Sequence, residues 1–322
     1  LESFQEFIKV SVLLINDAGN EPMGNLVAFN RETDLKIFLL PHGMNIIRYA
    51  FLSPAVDHTH ITYLAYGRDH QDFYRVYLNK DVPMKTGLVG NPLTAALKNF
   101  RKSPQAAHNK RLLIFAFGYT NTWFSRRVFA GDQYYVDLFG MIPTLLDEGW
   151  TIKFRSHPYH HHDVEDFIGK NFEGYDQVGW EVSPTIEQAL QSFDVVVSNI
   201  TTAYYQSLYA GWPTIFYEPN YRQSCGIEAI ESDPIFTGLL TSKDIVRPIT
   251  NDPDKLLTMI RDTLDPHSIV SRFPDQFSNE LSHRFIGPDP SNSDVMISDF
   301  LENEQFGGDA KNPNLRHSEL IM

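Results

Sequence analysis

The chain has 322 residues, 42% of them hydrophobic and 21% charged, which is a globular composition long enough for two domains. Its formal net charge of −13 excludes a general nucleic-acid binder, which carries a basic stripe. Cys225 is the single cysteine, so an intrachain disulfide and a thiolate metal cluster are excluded and a reducing, cytoplasmic compartment is expected. No apolar run reaches the roughly 18–20 residues that span a bilayer. Leu1 follows no initiator Met or signal-peptide pattern and reads as the start of a fragment.

Short apolar strands alternate with amphipathic stretches, the pattern of parallel sheets built from βαβ units. Residues 10–15 predict a buried strand and 23–31 a helix. Residues 36–40 predict a second strand, running into Pro41-His42-Gly43. Strands at 61–65 and 86–89 follow, the last ending at Gly90-Asn91-Pro92. Residues 1–105 thus form an N-terminal α/β domain, short of one or two units at its start. Residues 101–110 lack apolar periodicity and predict a linker.

The second domain, 110–285, opens with a strand at 112–117. A helix at 134–146, a strand at 151–155 and a helix at 164–169 come next. Then follow a helix at 186–191, a strand at 195–197, a helix at 203–210 and a strand at 214–217. A late helix is expected at 252–264 and another at 294–301. The segment 286–322 reads as a C-terminal helix and a loose polar tail with Gly307-Gly308.

Two segments carry chemistry. In the first, Asp194-Val195-Val196-Val197-Ser198-Asn199-Ile200-Thr201-Thr202, an apolar strand ends in a hydroxyl-rich turn that opens into a helix. Ser198, Thr201 and Thr202 are N-cap types, and the helix behind them offers N–H groups and the positive end of its dipole. Such a turn is an anion site or a plain helix cap; ligands of open α/β sheets sit beyond the C-terminal ends of strands. The second segment, Lys153-Phe154-Arg155-Ser156-His157-Pro158, also ends a strand. Pro158 holds His157 extended, and Arg155 and Lys153 can add charge-assisted bonds to phosphate. A plain strand-terminal His turn is the alternative.

Together with Ala210-Gly211-Trp212-Pro213-Thr214-Ile215, these segments resemble GT-B transferases that use cytidine-activated donors. These include the CDP-glycerol:polyol-phosphate transferases of teichoic-acid synthesis and the sialyl- and Kdo-transferases of bacterial capsule synthesis. The matching residues are His157-Pro158 and Ser198 with Thr201-Thr202, and His42-Gly43 resembles a turn of the polyol-phosphate enzymes. The resemblance runs from about residue 10 to residue 264 and implies two Rossmann-like, doubly wound domains with a cleft between them.

It further implies metal-independent transfer of a sugar or polyol-phosphate from a nucleotide-activated donor, CMP or CDP ahead of UDP, to a glycan or polyol-phosphate acceptor of a surface polysaccharide. Arg155, His157, Pro158, Ser198, Thr201 and Thr202 would hold the donor nucleotide. No cofactor is implied, and work at the inner face of the membrane is compatible with such an acceptor.

A His near neutral pKa suits general-base work on an acceptor hydroxyl, so His42 is the candidate base, or else a turn residue. Asn16-Asp17-Ala18-Gly19 partly imitates the acidic pair and glycine of the sialyltransferase-like groups, which makes Asp17 the substitute. Gln206 stands where many sugar-nucleotide enzymes carry a ribose-binding Glu, a departure from a UDP-sugar reading. A UDP-GlcNAc 2-epimerase-like enzyme and a non-catalytic module of a larger polysaccharide-assembly protein are the alternatives. His160-His161-His162 is a consecutive run that points in different directions, and no metal site is expected from it. Tyr119, Trp123 and Phe124 suit stacking on a base or sugar, or simple packing.

Overall fold

The computed structural model describes residues 12–15, 36–40, 61–69, 71, 85–95, 97, 100, 102, 109–116, 131–156, 166, 168–199, 201–217, 219, 245–287 and 292–306. The chain divides into two compact units, one of residues 1–95 with 283–322 and the other of residues 96–282.

The first unit holds four parallel strands, β1 (Val12–Ile15), β2 (Lys36–Leu39), β3 (Ile61–Ala65) and β4 (Lys85–Leu88), in that spatial order. Each strand adds beside the one before it, so the order does not reverse among the described residues. A short helix, α1 (Pro92–Ala95), follows β4.

The expected boundaries shift at both ends of the second unit. Residues 101–110, expected as a linker, are bonded into it where described. The Lys102 N–H donates to Ala210 O (2.9 Å), and the Asn109 N–H donates to the Asp194 carboxylate (2.9 Å). The described part of the segment 286–322, expected as a C-terminal helix and loose tail, belongs to the first unit. Its helix α8 (Ser293–Phe306) buries Leu301 with Phe38, Leu64 and Val89, and Met296 and Ile297 pack alongside. Arg284 clasps Asp69 with two bonds (3.1 and 2.8 Å). A Cβ on Gly67 would lie 2.1 Å from Arg284 O, so the glycine is what lets the two backbones meet. Sequence patterning is blind to this return, because it depends on a face completed by residues 200 positions away.

The second unit carries six parallel strands, β5 (Arg111–Ala116), β6 (Thr151–Ser156), β7 (Val178–Trp180), β8 (Val195–Ser198), β9 (Thr214–Tyr217) and β10 (Ile249–Thr250). Their spatial order is β7-β6-β5-β8-β9-β10. The chain builds outward from β5 in one direction and then returns to build in the other, the doubly wound order of a nucleotide-binding fold.

Both faces of this sheet are covered, which is why β5, β8 and β9 read as unbroken apolar runs. Alternate residues of each strand serve opposite faces. Leu112, Ile114, Val195, Val197, Ile215 and Tyr217 pack with α2 (Gly131–Asp147), α5 (Pro253–Asp262) and α6 (Ile269–Gln276). Leu113, Phe115 and Val196 pack with Ala189 and Leu190 of α3 (Ile186–Gln191), and Leu97, Phe193, Ala210 and Trp212 join that cluster. A π-helical turn, Phe277–Leu281, follows α6, and within α7 (Ser282–Phe285) the chain passes from the second unit to the first.

The element ending in Ala210-Gly211-Trp212-Pro213 has a plain structural origin. Helix α4 (Thr202–Tyr209) closes with the Trp212 N–H on Ser207 O and the Gly211 N–H on Leu208 O, both 3.0 Å. This closure needs the left-handed backbone that Gly211 adopts at φ 88°, and Pro213 prevents the helix from continuing.

Candidate functional site

The reversal of strand order lies between β5 and β8, and the turn that holds Ser198, Thr201 and Thr202 leaves β8 at its C-terminal end. Asp194 fixes the level at which that turn emerges. Its buried carboxylate accepts the Asn109 N–H (2.9 Å) and the Arg111 N–H (3.1 Å), and Arg111 Nε lies 3.7 Å away. The Lys102 ammonium donates to Asp194 O (2.7 Å). Burial lowers the Lys102 pKa, opposed by the attraction of Asp194. These bonds tie Asp194, just ahead of β8, to Arg111 at the start of β5, and four residues later the strands reach Ser198 and Phe115.

The turn is internally bonded. Ser198 is fully buried, and its Oγ lies 3.1 Å from both Asn199 O and Thr201 Oγ1. Thr201 caps α4: its backbone is extended (φ −142°, ψ 159°) and its Oγ1 accepts the Tyr204 N–H at 3.2 Å. With Ser198 donating to Asn199 O, Thr201 is left to donate to Ser198. The two hydroxyls thus bond each other inside the turn. Thr201 is thus the N-cap of α4, and the turn presents the start of that helix together with its hydroxyls. Thr202 is the first helical residue and is half-buried.

Arg155 reaches the same level from β6. Phe115 of β5 pairs with Arg155, and Ile114 pairs with Val197, so Ser198 and Arg155 flank Phe115 in one row. The alternation that sends Ile152, Phe154, Val195 and Val197 to one face sends Arg155 and Ser198 to the other. Two strand spacings separate them, about 10 Å. The guanidinium is half-buried and donates to Ser183 O (2.7 Å); burial lowers its pKa, against the attraction of Glu181 and Glu187.

Sequence reasoning passed over Asn199. It is 2% exposed, and its side-chain Oδ1 has no hydrogen-bond partner among the described residues. The available signal was an amide placed between a strand end and a helix cap. His157, Pro158, His42, Asp17, Tyr119, Trp123, Phe124 and the run His160-His161-His162 lie outside the described residues. Among the described residues no group of three or more His, Cys, Asp or Glu side chains is placed to hold a metal ion. No helix among them is long and apolar enough to cross a membrane.

No family profile matches the chain, and no curated protein sequence matches it. Solved structures do match. The wall teichoic acid polymerase TagF superposes with a TM-score of 0.56 at 12% identity, over 94% of this chain and 76% of that one. UDP-GlcNAc 2-epimerase of Methanocaldococcus jannaschii, in complex with UDP-GlcNAc and UDP, gives 0.57 at 10% identity over 93% and 78%. The Neisseria meningitidis UDP-GlcNAc 2-epimerase bound to UDP-GlcNAc gives 0.56 at 11% identity over 94% and 79%. With its parallel sheets and the doubly wound order of the second unit, the chain has the α/β fold of these GT-B-like proteins.

Proposed function

We propose that this protein transfers a sugar or polyol-phosphate from a cytidine-nucleotide donor to a surface-polysaccharide acceptor. The observation that carries the reading is the coincidence of the Ser198–Thr202 turn with the point where strand order reverses. Open α/β sheets bind their ligands there. The N–H groups and dipole at the start of α4 favour the donor phosphates, and Arg155, in the same row two strands away, adds positive charge. His157 and Pro158 belong to the same reading as ligands of the nucleotide.

The acceptor oxygen attacks the transferred centre while the bond from that centre to the donor phosphate breaks. Charge then grows on the departing phosphate, where fixed dipoles and cations stabilise it without a metal. His42 takes the acceptor proton, with Asp17 as the substitute base. TagF supports the cytidine branch, since structures of that protein were obtained after soaking with CDPG.

A second reading is a UDP-sugar enzyme of the 2-epimerase type, favoured by likenesses of the same strength to epimerases bound to UDP-GlcNAc. A thermal-shift panel of CMP, CDP, UMP, UDP and UDP-GlcNAc separates the two, because a specific ligand raises apparent stability by mass action. CMP or CDP is expected to bind at least about tenfold more tightly than its uridine counterpart, ~1.4 kcal/mol. Preference for UDP-GlcNAc would move the chain to the epimerase branch. Binding of none of them would refute both readings.

A further inference from the structure

The amide of Asn199 is buried at the switch point with its Oδ1 unpartnered among the described residues. Burial strips such a group of water, and native proteins leave very few of them without a bond. Its neighbours in the turn do not supply one. Ser198 donates to the Asn199 backbone carbonyl, and Thr201 is committed to Ser198 and to the Tyr204 N–H. The missing partner is a hydrogen-bond donor from outside the turn, at the place where the doubly wound sheet receives its ligand.

We propose that Asn199 is a ligand-binding residue whose Oδ1 accepts a hydrogen bond from the nucleoside part of the bound nucleotide. The inference rests on the nucleotide reading above and adds a division of labour to it. Phosphate oxygens are acceptors, and an amide oxygen does not bind them. The phosphates therefore go to the N–H groups of α4, and the nucleoside brings its donor to Asn199. Two donors fit this chemistry, the ribose 2′-hydroxyl and the exocyclic amine of cytosine. Loss of a donor that meets a buried acceptor is discriminated strongly, since the acceptor is then left unpaired.

Thermal-shift titration of CDP, 2′-deoxy-CDP and UDP into the parent, Asn199→Ala and Asn199→Leu tests the assignment. The parent is expected to bind CDP about tenfold more tightly than 2′-deoxy-CDP if the hydroxyl is the donor, or than UDP if the amine is, ~1.4 kcal/mol. Both variants should bind CDP about tenfold more weakly than the parent and lose that preference. Their unliganded melting temperatures should equal or exceed the parent's, because an orphaned polar group has been removed. Unchanged CDP affinity in both variants would overturn the proposal. So would a fall of more than about 5 °C in both unliganded variants, the mark of a structural residue. A parent that binds none of the three nucleotides would instead overturn the underlying nucleotide reading, and this proposal with it.

Discussion

Thr201→Ala tests whether the α4 start is held by the bonds described. The change removes the oxygen that accepts the Tyr204 N–H at 3.2 Å and the hydroxyl that meets Ser198 Oγ at 3.1 Å. Loss of such a cap costs about 1 kcal/mol, within a range of 0.5–2. Ser198 keeps its bond to Asn199 O, so the second loss adds only part of one hydrogen bond, and about 1–2 kcal/mol is the total. In a unit of about 190 residues each kcal/mol moves the melting temperature by roughly 2–4 °C, so a fall of about 2–8 °C is expected. Calorimetry on the parent, Thr201→Ala and Thr201→Ser is the assay. Thr201→Ser keeps the oxygen and should melt within about 2 °C of the parent. The reasoning fails if Thr201→Ala melts with the parent, or if Thr201→Ser falls as far as Thr201→Ala and so makes the methyl group responsible.

Asp194→Ala removes the shared acceptor of the Asn109 and Arg111 N–H groups at the joint of β5 and β8. It is expected to cost about 2–5 kcal/mol in urea unfolding, with Asp194→Asn costing less because an acceptor remains. Gly67→Ala pushes a Cβ to 2.1 Å from Arg284 O, so the return of the C-terminal segment onto the first unit should loosen. Limited proteolysis beyond residue 283 should then run faster than in the parent, and equal rates would refute the close contact. The bond from Arg261 holds the Glu148 carboxyl below its ordinary 4.5, the remaining shifts being smaller. That contribution to stability is present above pH 4.5 and disappears as pH falls through the folded-state value. Melting temperature measured against pH should therefore fall less steeply below pH 4.5 in Arg261→Ala than in the parent.

Much of the second unit was legible because its signals are local. Strands covered on both faces must be apolar throughout, so 112–117, 195–197 and 214–217 stood out, and the structure places them within a residue or so of those limits. Helices were legible where caps are explicit. Asp252 accepts from the Asp254 and Lys255 N–H groups ahead of α5, and Thr185 accepts from the Gln188 N–H ahead of α3. The edge strands β7 and β10, of three and two residues, were missed because so short a run has no period and is strand only by its neighbour's bonds. Helix α6 was missed although Ser268 caps it and Val270, Phe273 and Phe277 keep helical spacing. Pro274 lies inside the helix, and burial of its face with Val270 and Phe273 carries the helix through it.

By itself the sequence determined the α/β class, the alternation of elements and the hydroxyl-rich turn after β8, since propensity, patterning and capping act within about ten residues. Tertiary structure alone decided three other matters. It set the reversed strand order that makes that turn a switch point, which depends on which strands pair across 80 residues. It returned the C-terminal helix to the first unit, where Leu301 meets Phe38. It also sorted the turn's polar groups by role: hydroxyls that looked free to bind a ligand bond each other, while the Asn199 Oδ1 is buried without a partner among the described residues. Hydrogen-bond satisfaction belongs to a three-dimensional environment, and residue type reveals only the capacity for it.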